Sequence, residues 1–212
     1  MVATRRDLHL IDGIEAAPRA DPDAAAHAVP APMRNVDADA FRHAFRHFAA
    51  TVAVMTVIGR DGRPHGMTVT SMTGLSVDPP TLLVCIDRST RTHADLLASG
   101  SFGIDILADH QHVIAAHCAR RGSDKVLPRR WLAGPVTADP PHLTGSVVRL
   151  DCRIETIHGA STHDIVLGRL ERIALDADPA RPLMYHDGAF VRLDPERIPL
   201  AMAEHAARLE ED

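Results

Sequence analysis

Aromatic residues are scarce in this 212-residue sequence, which contains five Phe, one Trp and one Tyr. The core must therefore consist mainly of aliphatic side chains, and the many Val, Ile and Leu residues favour packed β-strands. Basic residues are not in excess either, because 23 Lys and Arg stand against 28 Asp and Glu and give a net charge of −5. Since nucleic-acid-binding proteins usually display a basic stripe, the composition predicts no nucleic-acid partner.

Long apolar runs are also missing, and nothing in the sequence approaches the roughly 18 to 20 residues that span a bilayer. We therefore expect no membrane association. The three cysteines, Cys85, Cys118 and Cys152, are scattered and form no C-x-x-C pair. An odd number of unpaired cysteines predicts a reducing, cytoplasmic setting, and Cys85 in an apolar strand is more typical of a small buried residue than of a reactive thiol.

Several common site motifs are absent. There is no G-x-G-x-x-G, which argues against a Rossmann nucleotide site, and no G-x-S-x-G, which argues against an α/β-hydrolase. His110 and His117 lie on one face of a predicted helix, but no cysteine or carboxylate stands between them at ligand spacing. We therefore predict no metal site.

The length suits one domain with two tails. Residues 1–35 are rich in Ala, Pro, Asp and Arg and are predicted to form a flexible arm. Residues 36–195 carry the strand and helix patterns, and residues 196–212 are predicted to form a helical tail with a helix over 199–209. Asp37 is expected to cap a helix whose stripe of Phe41, Phe45 and Phe48 packs on a sheet.

The remaining pattern predicts seven or eight strands joined mostly by hairpins, with helices at the ends. This arrangement favours a mainly β fold, an antiparallel β-barrel with flanking helices, over a βαβ sheet. The predicted strands cover 51–58, a segment starting at 65, 82–87, 102–107, 146–157, 163–175, 183–185 and 190–193. The predicted helices cover 91–99 and 109–118.

The stretch 65–92 has the pattern of a binding site. Its first strand alternates, which places four side chains on one face and three on the other. A second strand follows, and a short turn rich in hydroxyl groups then leads into the 91–99 helix. A helix start with N–H groups, hydroxyls and a guanidinium suits a phosphate. The two faces are Met67, Val69, Ser71 and Thr73 against Thr68, Thr70 and Met72.

Segments 65–72, 78–86 and 89–92 resemble the core of the flavin reductase domain family, and the likeness extends from about Phe41 to about Leu193. The resemblance implies an FMN-binding split β-barrel, antiparallel and Greek-key-like, over residues 36–195. It also implies flavin contacts from the two strands, from the turn that would hold the phosphate, and from two aromatic residues. The implied contacts are Met67, Thr68, Val69, Thr70, Ser71, Met72, Cys85, Ile86, Asp87, Ser89, Arg91, Thr92, Phe102 and Tyr185.

His163 is the implied catalytic residue, because it opens a segment similar to the one in which a family histidine faces the nicotinamide. It could hydrogen-bond the carboxamide or protonate reduced flavin. The sequence departs from the family pattern here, since Thr162 precedes this histidine and Asp164 follows it. Tyr185 fits a hairpin core equally well, and Asp124 fits a loop salt bridge as well as a substrate contact.

The resemblance implies an NAD(P)H-dependent flavin reductase. NADH or NADPH would supply a hydride to FAD or FMN, and the reduced flavin would diffuse to a separate flavin-dependent monooxygenase. The same resemblance implies a homodimer. Two alternatives remain open: a flavin-binding protein of the same fold without reductase turnover, and an oxidase similar to pyridoxamine phosphate oxidases.

Overall fold

The computed structural model describes residues 33, 35–122, 124–135, 139–175 and 180–193. Most of the predicted N-terminal arm and all of the predicted C-terminal tail lie outside these ranges. None of the helices in the described part of the chain is long and apolar enough to cross a membrane. The helices are α1 (Ala38–Arg46), α2 (Arg91–Ser99) and α3 (His112–Ala119), and 3₁₀ turns cover Asp109–Gln111 and Arg129–Trp131.

The strands form two antiparallel sheets, which confirms the predicted mainly β fold. A seven-stranded sheet has the order β3-β2-β6-β7-β8-β5-β4, and a three-stranded sheet has the order β1-β9-β10. The strands are β1 (Ala50–Thr51), β2 (Ala53–Ile58), β3 (Pro64–Val69), β4 (Met72–Val77), β5 (Pro80–Asp87), β6 (Ser101–Ile106), β7 (Val148–Ala160), β8 (His163–Leu175), β9 (Leu183–His186) and β10 (Ala189–Arg192).

The large sheet must curl, because its two edge strands follow each other in the sequence. β3 ends at Val69 and β4 begins at Met72, so only Thr70 and Ser71 join opposite edges of the sheet. Three trans Cα steps reach at most about 11 Å. The sheet therefore closes on itself at this point, which we call the Thr70–Ser71 corner.

The prediction of one continuous strand through this stretch was wrong. Met67 and Val69 belong to the interior core, and after the corner Met72 packs against the same core. In an unbroken strand Met72 would point away from Met67 and Val69. The corner shifts the alternation of inward and outward side chains by one residue. Before the corner β3 pairs with β2, and after it β4 pairs with β5.

Two hydrophobic cores lie on the two sides of β2. The interior core is aliphatic apart from Phe102, and its buried members also include Met55, Ile86 and Ile104. The outer core is formed by Val52 and Val54 together with residues of α3 and of the 127–143 segment. A low aromatic content is therefore sufficient, as predicted, because aliphatic side chains supply most of both cores.

The predicted packing of the α1 stripe was also wrong. Asp37 does cap the helix, and its Oδ1 accepts hydrogen bonds from the backbone N–H groups of residues 39 and 40. However, Phe41, Phe45 and Phe48 are 53%, 50% and 66% exposed. Their rings stack on one another, with centroids 4.3 and 5.0 Å apart, instead of packing on a sheet.

Candidate functional site

The Thr70–Ser71 corner is fastened directly to the end of β5. The Ser71 hydroxyl donates to the carbonyl of Cys85 at 2.9 Å, and the Cys85 N–H donates to the carbonyl of Ser71 at 3.3 Å. Thr70 and Ser71 are exposed, and Cys85 is half-buried. The structure therefore brings these three predicted flavin contacts together on an accessible surface.

The turn after β5 is ordered by its own polar side chains. Asp87 Oδ1 accepts hydrogen bonds from the backbone N–H and the hydroxyl of Ser89, both at 2.8 Å. The Thr90 hydroxyl donates to the carbonyl of Asp87 and accepts from the N–H of His93 at 3.2 Å, which caps α2. The N-terminus of α2 thus has a defined position beside the corner, as a phosphate site requires.

The neighbours of Asp87 favour its ionised form. The backbone hydrogen bond from Ser89 lowers the pKa of this carboxyl, and the charges of His163 and Arg121 act in the same direction. His163 pairs with Asp87 across β5 and β8, and its side chain is exposed. The Thr162 hydroxyl lies 2.9 Å from His163 Nδ1. His163 therefore lies at the edge of the same surface as the turn.

The Arg91 side chain, a predicted phosphate contact, is 47% exposed and is held by two carboxylates. Its Nη2 lies 2.6 Å from Asp61 Oδ2, and its Nε lies 3.3 Å from Asp95 Oδ2. The neighbouring Asp61 carboxylate raises the pKa of Arg91. Nη2 also lies 3.2 Å from His65 Nε2, near the start of β3, and five residues of strand, about 17 Å, separate His65 from Thr70.

Several other predicted contacts have side chains that cannot reach a ligand at this surface. Phe102 is 0% exposed in the interior core, so its assignment to the cofactor is corrected to core packing. Thr68 points outward, and its hydroxyl donates to the carbonyl of Ala115 on α3 at 2.7 Å. The remaining buried side chains, which leave only backbone groups for contact, are Met67, Val69, Ile86 and Thr92.

Tyr185 lies in β9, and its ring meets that of Phe190 edge to face, with centroids 5.7 Å apart. It packs against the outer core, as the hairpin interpretation predicted. β9 pairs with β1, which precedes β2 by one residue, and Ala53 at the start of β2 pairs with Val69. The small sheet therefore begins at the same end of β2 as the corner.

An apolar cavity of about 270 Å³ opens beside β4. Met72, directly after the corner, is the predicted flavin contact among its walls. The apolar lining also includes Ile106, Leu150 and Leu170. A partly apolar hollow adjoining a polar corner is the usual composition of a small-molecule site.

Sequence reasoning missed three side chains behind His163. His93 Nε2 donates to Asp164 Oδ2 at 2.7 Å, and Arg88 Nε lies 3.5 Å from Asp164 Oδ1. His93 and Asp164 are 71 positions apart in the sequence, so no local pattern connects them. The available signal was the aspartate after His163, where the sequence departs from the family pattern.

The predicted loop salt bridge exists, because Asp124 Oδ2 lies 3.2 Å from Arg63 Nη1. Asp124 therefore belongs to the charged group around Asp61 and Arg91 at the β2–β3 turn. This observation favours the structural interpretation of that loop over a substrate contact.

Residues 45–194 match the family model of the flavin reductase like domain. This chain belongs to that family. It is 30% identical over 162 residues to the reductase subunit HsaB of a flavin-dependent monooxygenase from Rhodococcus jostii strain RHA1, covering 76% of this chain and 81% of that protein. The family assignment and the predicted flavin reductase activity are thereby confirmed.

Two solved structures extend the comparison. BorF, the flavin reductase component of a bacterial two-component tryptophan halogenase, is 34% identical with a TM-score of 0.68, covering 76% of this chain and all of that chain. The NADH:FAD oxidoreductase SgcE6 of Streptomyces globisporus C-1027, in complex with NAD and FAD fragments, is 27% identical with a TM-score of 0.69. That match covers 77% of this chain and 99% of the other. The predicted fold is thereby confirmed.

Proposed function

We propose that this protein oxidises NADH or NADPH, reduces FAD or FMN at the Thr70–Ser71 corner, and releases the reduced flavin to a separate flavin-dependent monooxygenase. The observation that carries the proposal is the convergence of four exposed or half-exposed predicted contacts, Thr70, Ser71, Cys85 and Asp87, beside the capped start of α2 and His163. HsaB is the reductase subunit of a flavin-dependent monooxygenase and BorF is the reductase component of a two-component halogenase, which supports the partner assignment.

The residues at the corner fit a flavin. The bound flavin would supply the hydride-accepting ring, so the protein has to hold and orient two ligands and exclude water. Thr70 and Ser71 offer hydroxyl and backbone groups to a ring edge or ribityl chain, and Met72 leads into the apolar cavity. Since the Arg91 guanidinium is held by two carboxylates, the phosphate is proposed to lie at the backbone N–H groups of the start of α2 and at Ser89.

His163 is proposed to orient the nicotinamide or to hold a proton near it. Its exposed ring stands at the end of β8 beside Asp87, and Thr162 hydrogen-bonds Nδ1. The other ring nitrogen, Nε2, would then form the hydrogen bond to a carboxamide. Either role is compatible with hydride transfer, because the transfer itself needs no protein acid.

A homodimer is part of the proposal. β4 is an edge strand whose last five residues are exposed, and Leu75 and Val77 are 54% and 91% exposed. They lie on the same strand as Gly74 and Ser76, which line the cavity of about 270 Å³. An exposed apolar edge next to an apolar hollow is a typical association surface, and a second copy of the chain would cover it.

The function is tested by mixing the purified protein with excess FAD or FMN and with NADH or NADPH, and following the absorbance of the reduced nicotinamide. We expect turnover with at least one of the four pairs. Zero turnover with all four would contradict the proposal and leave a flavin-binding protein.

The variant His163→Ala tests the assigned role of this histidine. We expect it to slow the nicotinamide step more than it weakens flavin binding. His158→Ala is the matched control, because His158 is an exposed histidine on the partner strand of the same hairpin. Equal losses of nicotinamide oxidation and flavin affinity in His163→Ala would show that the role is wrong.

A further inference from the structure

Two ionisable side chains meet in a buried position directly behind His163. His93 and Asp164 are each 8% exposed, and His93 Nε2 donates to Asp164 Oδ2 at 2.7 Å. Neighbouring strand residues point to opposite faces, so Asp164 points inward where His163 points outward. Burying a carboxylate costs free energy unless the carboxylate is paired. The contacts of Asp164 therefore offset the cost of burying its charge.

Asp164 also reaches the turn that precedes α2. Arg88 Nε lies 3.5 Å from Asp164 Oδ1, and the backbone N–H of Arg88 donates to the carbonyl of Thr162 at 3.1 Å. Together with His93, these contacts attach the turn and the first helical turn of α2 to the start of β8 at three points. The Asp164 carboxylate makes two of these three contacts.

The attachment continues into the helix cap. His93 donates its backbone N–H to the Thr90 hydroxyl, and Thr90 in turn donates to the carbonyl of Asp87. A shift of His93 must therefore move the capping residue. The capped end of α2 is where the proposed phosphate site lies, so Asp164 is connected to it through two hydrogen-bonded residues.

We propose that Asp164 is a positioning residue for flavin reduction. Through His93 and Arg88 it holds the phosphate-binding end of α2 in a fixed position relative to His163, which places the flavin relative to the nicotinamide. The inference rests on the proposed function. It assigns a role to the aspartate that departs from the family pattern.

The chain contains a matched control. Asp151 is 7% exposed, accepts from His142 and pairs with Arg172, so it also lies between a histidine and an arginine. Asp151 pairs with Arg172 across β7 and β8, and eight strand residues, about 26 Å, separate Arg172 from Asp164. Removing the charge of Asp151 disturbs a similar network away from the corner.

The experiment compares Asp164→Asn, His93→Asn and Asp151→Asn in the full chain. The readouts are the flavin Kd from fluorescence quenching, the KM for flavin, kcat at saturating flavin, and Tm. We expect all three variants to lower Tm. We expect only Asp164→Asn and His93→Asn to raise the flavin Kd and KM, by about tenfold, whereas Asp151→Asn changes them by less than about twofold.

The double variant His93→Asn/Asp164→Asn should bind flavin no more weakly than Asp164→Asn alone, because the two residues act as one unit. An unchanged flavin Kd in Asp164→Asn, or additive losses in the double variant, would overturn the inference. The Kd does not depend on turnover. Its outcome therefore remains readable if the wild-type protein shows no reductase activity and the proposed function fails.

Discussion

At the scale of single residues, Gly168 and Phe102 show how one aromatic ring fits into an aliphatic barrel. A Cβ added at Gly168 on β8 would lie 2.5 Å from Phe102 Cζ and 3.3 Å from Cys152 Cβ. Phe102 is 0% exposed, so its ring has no open space to move into. The Phe102 ring therefore occupies the space that a side chain at position 168 would fill.

Gly168→Ala should therefore destabilise the protein by about 1–3 kcal/mol, the usual cost of overpacking a core. The measurement is the free energy of unfolding in urea. Gly74→Ala is the control, because an added Cβ at Gly74 on β4 meets nothing within 4 Å. Equal stabilities of the two variants would contradict this account of Gly168.

Arg91 shows which part of the site a sequence can predict. The sequence placed a guanidinium at the start of a helix, and the structure confirms the helix and shows that Thr90 caps it. Asp95 is a local i,i+4 partner on the same helix, but the sequence could not show that Asp61 also holds the guanidinium, because Asp61 comes from a turn thirty positions earlier. Local patterns identify a candidate anion site, whereas long-range partners decide which cation remains available.

At the scale of elements, the segment 139–146 lies across β6 and is fastened by His142. His142 Nδ1 lies 3.1 Å from Asp105 Oδ2, its Nε2 contacts Asp151, and the N–H of Leu143 donates to Asp105 Oδ1 at 2.9 Å. Burial lowers the pKa of His142, but the hydrogen bonds and charges of the two aspartates outweigh burial and raise it above its usual value.

A raised pKa in the folded state stabilises the protein below the unfolded pKa of about 6.5, and this contribution is lost as the pH rises through the folded value. The stability difference between the wild type and His142→Gln should therefore be larger at about pH 6 than at about pH 8.5. Urea unfolding at both pH values measures it. A difference that does not change with pH would show that the His142 charge contributes nothing.

The sequence predicted most elements of this fold because hairpins are local. Alternation, Gly59–Pro64 turn residues and the Asp78-Pro79-Pro80 turn identify strands that pair with their neighbours. The break at the corner was missed because no glycine or proline marks it, so only the pairing partners reveal it. The exposure of α1 was missed because amphipathicity shows that a face is apolar but not what covers it.

At the scale of the whole molecule, the exposed edge of β4 predicts self-association. Val77→Asp should weaken the homodimer by at least about tenfold, because it places a charge in the centre of an apolar contact. Sedimentation over a range of concentrations measures the dimer dissociation constant. Val113→Asp on α3 is the control, because Val113 is 59% exposed on another face. A monomeric wild type, or an equal effect of both variants, would contradict the assigned surface.

The Thr70–Ser71 corner also has a kinetic consequence. The β2–β3 and β4–β5 hairpins each close a short loop, so both can form early in folding. Because two residues tether them, each hairpin searches for the other within a very small volume. We therefore expect the slow event to be the docking of the long β7–β8 ribbon between β6 and β5, which brings distant parts of the sequence together.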